Sequence, residues 1–165
     1  MNIISLADGI SIPSSYSAFI SPLSSSKLHN EISAYKDLTH FETPYVVMLQ
    51  SAAKLAKPQE IWKFEHPNRS VVIDNEGKEI LTKHVLLIFR LIYNIWFIGN
   101  PINNYHNTKY SKVTFDIKNS GILHGIAGYF EAVLYKDVLM SILPETHSEG
   151  MFSWFPIFFP LKVQH

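Results

Sequence analysis

Residues Gly121–Phe159 read GILHGIAGYFEAVLYKDVLMSILPETHSEGMFSWFPIFF and hold two runs with the chemistry of β-strands, followed by a compact aromatic cluster. In the first run, from Ile122 to Tyr135, alternate residues divide between two faces that are both largely apolar. A strand with two apolar faces is typical of the interior of a barrel or sandwich. The stretch therefore predicts a β fold built around a strand that is buried on both sides.

The aromatic cluster, Met151–Pro156, places one tryptophan and two phenylalanines around Ser153. Flat aromatic faces beside a hydroxyl group suit a planar cation such as a guanidinium group. Aromatic residues in a strand also pack simply as hydrophobic core. Both interpretations are open at the level of the sequence.

The composition bounds the class of protein. The 165 residues are enough for one domain with a hydrophobic core, and 14 basic residues balance 14 acidic ones. Balanced charge gives no indication of a nucleic-acid or membrane partner. The absence of cysteine excludes disulfides and thiolate chemistry. Because Met1–Leu6 lacks the basic and apolar regions of a secretory signal, we expect a domain of the cytoplasm, the nucleus or both.

Turn residues divide the rest of the chain into short elements. Pro13 and Pro22 predict short, separate strands near Ile10–Ile12 and Ala18–Ile20. A serine N-cap followed by apolar residues at helical spacing predicts a helix at roughly 26–37. Further strands are predicted at Tyr45–Leu49, Ile61–His66, Lys109–Ile117 and Asp137–Ile142, with a last apolar stretch at Phe152–Leu161. The result is a mainly β, antiparallel fold with one or two short helices.

The motifs of common catalytic and metal sites are absent from the sequence. The eight histidines show no HxxxH or HxH spacing, and no GxSxG nucleophile elbow occurs. His124, at the head of the long strand, is better explained as a hydrogen-bonded structural residue than as a base. We therefore assign no catalytic residue and no metal ligand.

Four blocks of the sequence resemble the C-terminal β-barrel of the type II protein arginine methyltransferases, the symmetric dimethylating enzymes. They are Asp8–Ile32, Phe41–Asn68, His124–Asp137 and Ser141–Lys162, and they follow the order of the family. The segments SSSKL, GYFEAVLY and FSWFP carry most of the specificity. The resemblance implies that residues 8–165 form an incomplete antiparallel β-barrel that also serves oligomerisation. Because the family continues through further strands, we expect this barrel to be truncated at its C-terminus.

The resemblance also implies roles for two groups of residues. Ser153, Trp154 and Phe155 match positions that line the pocket for the substrate arginine. Phe155 would lie over the guanidinium, Ser153 would contact the substrate or limit the space around the methylated nitrogen, and Trp154 would shape the wall. The region of the predicted helix matches the neighbourhood of the dimerisation arm, which implies an oligomer interface at Ser26, Lys27, Leu28, Asn30 and Glu31. An ordinary amphipathic surface helix is the alternative.

By the same resemblance, the methyl donor is S-adenosylmethionine, bound on a separate Rossmann-like sheet, and two glutamates on one loop hold the guanidinium. No stretch of this chain matches that glycine-rich turn or that loop. We therefore expect S-adenosylmethionine to be bound by the parent enzyme only, with no cofactor-binding or catalytic residue here. The expected partners are protein arginine substrates and full-length enzyme in a homo-oligomer. A non-catalytic binding or decoy module that pairs with the full-length enzyme is the alternative function, and an unrelated small β-domain is a third.

Residues 76–108 are atypical for the family, which passes almost directly from Val72–Asn75 to the strand that begins at Lys109. They contain HVLLIFRLIYNIWFIG, an apolar run broken by Arg90 and Asn94. Its pieces are shorter than the roughly 20 residues of a bilayer span. A buried helix or strand pair is one interpretation. Our hypothesis is a translated intron, because residues with A/T-rich codons dominate the segment.

Overall fold

The computed structural model describes residues 9–65, 72–73, 79–80, 111–117 and 120–162. Within these ranges the chain forms nine strands, one α-helix and one 3-10 helix. In chain order they are β1 (Ser15–Ser24), α1 (Ser26–Ser33), the 3-10 helix (Leu38–Glu42), β2 (Tyr45–Val46), β3 (Ala53–Lys54), β4 (Gln59–Glu65), β5 (Val72–Ile73), β6 (Glu79–Ile80), β7 (Gly125–Tyr135), β8 (Val138–Ser141) and β9 (Ile157–Pro160).

Seven of these strands form one antiparallel sheet around the pair β1 and β7. The order along the sheet is β2-β9-β7-β1-β3, with β4 also paired to β1 and β8 also paired to β7. The ladder between β1 and β7 runs without interruption from Ser15 opposite Val133 to Leu23 opposite Gly125. Among the described residues the sheet does not close on itself. The prediction of a mainly β, antiparallel and incomplete fold is therefore confirmed.

Strand β7 is covered on both faces, as its sequence predicts. Gly125–Ala127 are buried, and Tyr135 is the first exposed residue of the strand. The close approach of β9 explains the glycine at position 125. A Cβ there would overlap the Phe158 ring and lie 2.5 Å from the Phe159 carbonyl oxygen, so no larger residue fits without movement of the backbone.

The predicted interruption of the first strand by proline is wrong. Strand β1 passes through Pro22, while Ile10–Ile12 forms no strand. Pro22 lies between Ser15–Ile20, which pair with β4, and Leu23–Ser24, which pair with β3. This gap between two ladders tolerates the missing N–H group, and the Pro22 carbonyl still accepts a hydrogen bond from the Leu55 amide at 2.9 Å.

Three other elements are shorter than predicted. Helix α1 ends at Ser33 rather than near residue 37, because Lys36 adopts a left-handed backbone with φ 57°. The strand predicted at Tyr45–Leu49 stops at Val46, and the chain then turns, with the Gln50 amide bonded to the Met48 carbonyl. Residues 111–117, which belong to the strand predicted at Lys109–Ile117, form no strand. A strand needs a partner to pair with, and β propensity alone does not provide one.

Parts of three predictions fall outside the described residues. These are His66 at the end of one predicted strand, Lys109 and Tyr110 at the start of another, and the atypical segment 76–108 apart from its strand Glu79–Ile80. The predicted strands at Ile61–His66 and Asp137–Ile142 correspond to β4 and β8.

The core lies between helix α1 and the sheet. Its buried cluster consists of Leu23, Leu28, Ile32, Ala127, Tyr129, Ile142, Leu143 and Phe158. The helix begins as predicted at a serine cap, where the Ser25 side chain accepts a hydrogen bond from the Leu28 amide. Burial of Leu28 and Ile32 then fixes one face of the helix on the sheet.

A buried histidine pair joins helix α1 to the start of β7. The Nδ1 atom of His124 accepts a hydrogen bond from the Ser25 amide at 3.1 Å, so this histidine is structural, as its position predicts. The rings of His29 and His124 lie 5.4 Å apart. Burial lowers the pKa of the His29 imidazole, and the proximity of His124 lowers it further.

We predict that the free energy of unfolding decreases as the pH falls below about 6.5, the ordinary pKa of histidine. In the folded state the pKa of His29 is lowered, whereas in the unfolded chain it is ordinary. As the pH falls, the unfolded chain therefore binds the proton before the folded state does, and this favours unfolding. Urea denaturation at pH 7.5 and 5.5 measures the decrease. His29→Gln should reduce it, while the same change at the exposed His147 should not. Equal decreases in all three proteins would contradict this account.

Candidate functional site

The geometry of β7 fixes where the aromatic cluster lies. Along one edge, β9 pairs with Gly125–Gly128 and β8 pairs with Glu131–Tyr135. Tyr129 and Phe130 lie between these two ladders, and the connection from β8 to β9 leaves the sheet there. The Ile142 amide donates to the Phe130 carbonyl at 3.1 Å. The connection therefore carries residues 151–156 past the middle of the central strand.

Hydrogen bonds fix the first part of this connection. The buried Ser141 exchanges bonds with Ser148 in both directions, from the Ser141 amide to the Ser148 hydroxyl at 3.0 Å and from the Ser148 amide to the Ser141 carbonyl at 2.9 Å. The Thr146 hydroxyl lies 2.9 Å from the Ser141 hydroxyl and donates to the Glu131 carboxylate at 2.5 Å. Residues 144–150 are thus a constrained turn, as their sequence predicts.

A cleft of about 480 Å³ lies between this connection, β1, β7 and the residues after β2. Its volume is within the range of small-ligand sites and exceeds that of a single side chain. Most of its lining is apolar, and its polar groups come from one lysine, one histidine and one tyrosine. The lining residues are Leu23, Met48, Leu49, Ala52, Lys54, Tyr129, Ile142, Pro144, His147, Met151, Trp154, Phe155 and Pro156.

The structure brings two of the three predicted substrate-binding residues to this cleft. Trp154 and Phe155 both line it, whereas Ser153 is exposed and does not. Trp154 packs edge-on against the Phe130 ring, with ring centroids 5.7 Å apart, and 56% of the residue stays exposed. The ring is therefore oriented by one aromatic contact and still accessible to a second. The substrate-binding role of the three residues stays a prediction.

Tyr129 is the buried polar residue in the lining of the cleft. Burial raises the pKa of the Tyr129 hydroxyl to about 12, and the nearby Glu145 carboxylate acts in the same direction. The hydroxyl is therefore protonated at neutral pH and can donate a hydrogen bond. At the rim, Lys54 Nζ and Glu145 Oε1 lie 3.4 Å apart, and this exposed ion pair contributes at most about 1 kcal/mol.

Sequence reasoning missed most of the cleft wall. Tyr129 shares a face of β7 with the buried Ala127, and that alternation was a usable signal. Met48, Leu49 and Lys54 gave none, because they reach the cleft only through the packing of distant segments.

The predicted oligomer residues divide between two sides of helix α1. Ser26, Lys27, Asn30 and Glu31 are exposed, so they are available to a partner. Leu28 is 8% exposed and belongs to the hydrophobic core. Its side chain packs the helix against the core and does not contribute to the exposed face.

Two further searches cover only the residues that the structure describes. Within them, no group of three or more histidine, aspartate or glutamate side chains is arranged to hold a metal ion. In the same ranges, no helix has the length and hydrophobicity needed to cross a bilayer.

Comparison with known proteins identifies the family. The family model of the PRMT5 oligomerisation domain matches residues 15–165. The chain belongs to this family. The resemblance seen in the sequence is confirmed.

The curated relatives of the chain belong to the same family. The chain is 46% identical over 158 residues to protein arginine N-methyltransferase 5 of Oryza sativa subsp. indica, covering 94% of this chain and 19% of the relative. It is 39% identical over 160 residues to the Xenopus laevis protein of the same name, covering 94% and 20%. It is 40% identical over 162 residues to protein arginine N-methyltransferase skb1 of Schizosaccharomyces pombe, covering 93% and 22%. The chain thus spans about a fifth of the length of these relatives. Each of these three relatives is named a protein arginine N-methyltransferase.

Proposed function

We propose that this chain supplies the aromatic wall of the substrate cleft, together with oligomer contacts, in an enzyme that transfers methyl groups from S-adenosylmethionine to protein arginine and forms symmetric dimethylarginine. The family and the names of the relatives support the general class of activity. The observation that carries the proposal is the position of Trp154. Its accessible ring is held by Phe130 beside a cleft of about 480 Å³.

An arginine side chain matches the chemistry of this wall. A guanidinium group stacks on aromatic rings because it is planar, charged and weakly hydrated. Such a contact is worth about 0.5–2 kcal/mol, depending on how far the cation is desolvated. The apolar lining contributed by Met48, Leu49 and Met151 would pack against the methylene groups of the arginine. The protonated Tyr129 hydroxyl adds one donor for a carbonyl oxygen of the substrate.

The cleft does not fit the methyl donor. No aspartate or glutamate belongs to its described lining, and the Glu145 carboxylate at its rim is paired with Lys54. We therefore assign S-adenosylmethionine and the acidic groups that hold the guanidinium to other parts of the parent enzyme. The role of this chain is to close the cleft on one side.

Trp154→Ala in the methyltransferase that carries this domain should lower kcat/KM for an arginine peptide by about three- to thirtyfold, because the cation loses its aromatic face. Phe152→Ala is the matched control. Phe152 belongs to the same cluster and is 85% exposed, but it does not line the cleft. Its removal should change kcat/KM by less than about twofold. Steady-state kinetics with a single-arginine peptide measure both values. Equal losses in the two variants would disprove the assignment of Trp154.

The exposed side of helix α1 is the proposed oligomer surface. Ser26, Lys27, Asn30 and Glu31 lie there with short or charged side chains, and the helix is held rigidly by its buried face. The description of the matching family as an oligomerisation domain supports oligomer contacts by this domain in general. We propose full-length copies of the same enzyme as its partner.

Asn30→Arg should weaken self-association by about tenfold or more, because a bulky charge would be desolvated at the centre of the contact. Gln59→Arg, the same kind of change at an exposed position of β4, should leave association unchanged. Leu28→Ala should instead lower stability by about 2–5 kcal/mol, because it leaves a cavity in the core. Sedimentation velocity and thermal unfolding separate the effects. Unchanged association of the Asn30→Arg protein would rule out this surface.

A further inference from the structure

A chain of hydroxyl groups links the β8–β9 connection to the central strand. The Ser141 and Thr146 hydroxyls lie 2.9 Å apart, and the Thr146 hydroxyl donates to the Glu131 carboxylate at 2.5 Å. At the other end, the Leu143 amide donates to the Ser141 hydroxyl at 3.0 Å. None of these side chains lines the cleft, and the proposed chemistry does not use them.

The direction of the protons in this chain is determined by its two ends. Because the single Thr146 proton is donated to the carboxylate, the Thr146 oxygen must accept the proton of Ser141. The Ser141 oxygen in turn accepts from the Leu143 amide. Each hydroxyl thus donates once and accepts once, and the series ends on a carboxylate acceptor. Hydrogen bonds to an ionised acceptor are shorter and stronger than those between neutral groups.

The same series connects the turn to the residues that hold the aromatic cluster. Glu131 follows Phe130 directly in β7, and Phe130 provides the ring contact of Trp154. The connection is therefore attached to adjacent residues of one rigid strand at two places, first through Thr146 and then through Trp154. Four residues, from 147 to 150, separate Thr146 from the start of the aromatic cluster at Met151.

From this arrangement we propose that Thr146 is a positioning residue: its hydroxyl, held between Ser141 and Glu131, fixes the aromatic cluster Met151–Pro156 against β7. This inference rests on the proposed function only for its catalytic consequence. The positioning itself is a property of the domain, and hydrogen exchange measures it independently of activity.

The test uses the full-length methyltransferase that carries this domain. Thr146→Val removes the hydroxyl at nearly constant shape, and Thr146→Ser restores it. Thr43→Val is the matched control, because the Thr43 hydroxyl also makes one surface hydrogen bond, to the Thr39 carbonyl at 3.1 Å, in a different part of the fold. Hydrogen exchange reports the local opening of the cluster at two amides, those of Phe152, bonded to the Gly150 carbonyl at 2.9 Å, and Val47, bonded to the Pro156 carbonyl at 3.0 Å. The KM values for an arginine peptide and for S-adenosylmethionine report its catalytic consequence.

Thr146→Val should speed exchange at the Phe152 and Val47 amides by about two- to tenfold, with recovery in Thr146→Ser and no change in Thr43→Val. It should raise the KM for the peptide by a similar factor and leave the KM for S-adenosylmethionine unchanged. Unchanged exchange would overturn the positioning role. Faster exchange with an unchanged peptide KM would support positioning and contradict the substrate role of the cluster. If the valine variant does not fold, Glu131→Gln replaces it, with a smaller increase expected because a neutral acceptor remains.

Discussion

The ladder between β1 and β7 is the constraint on which the rest of the described structure depends. Nine consecutive residue pairs join the two strands, and every other strand of the large sheet except β2 pairs with one of them. The close contact of Gly125 with β9 then leaves little freedom of register at one end. A slip by one residue would exchange the two faces of the strand. Strands β8 and β9 pair with the other edge of β7 through ladders of their own, and the register of these ladders places their connection.

The site follows from this register. Because β8 and β9 pair with different halves of β7, their connection must leave the sheet opposite Tyr129 and Phe130. Phe130 then orients Trp154, and Tyr129 forms part of the cleft. The cluster is therefore brought to β7 by the backbone pairing of β8 and β9 and is held there by the contact between Trp154 and Phe130. In the proposed function, this wall orients a planar cation, and the acidic groups that hold the cation come from other parts of the parent enzyme.

The sequence predicted those parts of the fold that depend on local pattern. The two apolar faces of β7 and the serine cap of α1 follow from residue types and spacing alone. The path of β1 through Pro22 could not be predicted in this way, because it depends on the gap between β3 and β4. The strand predicted at Lys109–Ile117 is absent at residues 111–117 for a similar reason, since a strand needs a partner as well as propensity.

The same distinction applies to the site. Trp154 and Phe155 were predicted from aromatic chemistry and from the resemblance, and both lie in the cleft. Ser153 lies outside the cleft. The sequence could not show this, because a single hydroxyl between aromatic residues carries no information about the direction in which the loop turns. Leu28 was assigned to the oligomer contact with its neighbours, although helical spacing places it on the opposite side of the helix from the exposed Ser26 and Asn30.

The central claim is that this domain offers an aromatic wall to an arginine side chain. The most direct measurement is a crystal structure of the methyltransferase that carries it, with an arginine peptide and the demethylated cofactor bound. The account predicts the substrate guanidinium within about 6 Å of the centre of the Trp154 ring. A guanidinium bound well away from that ring, with the cleft beside Trp154 filled by the enzyme's own side chains, would contradict it.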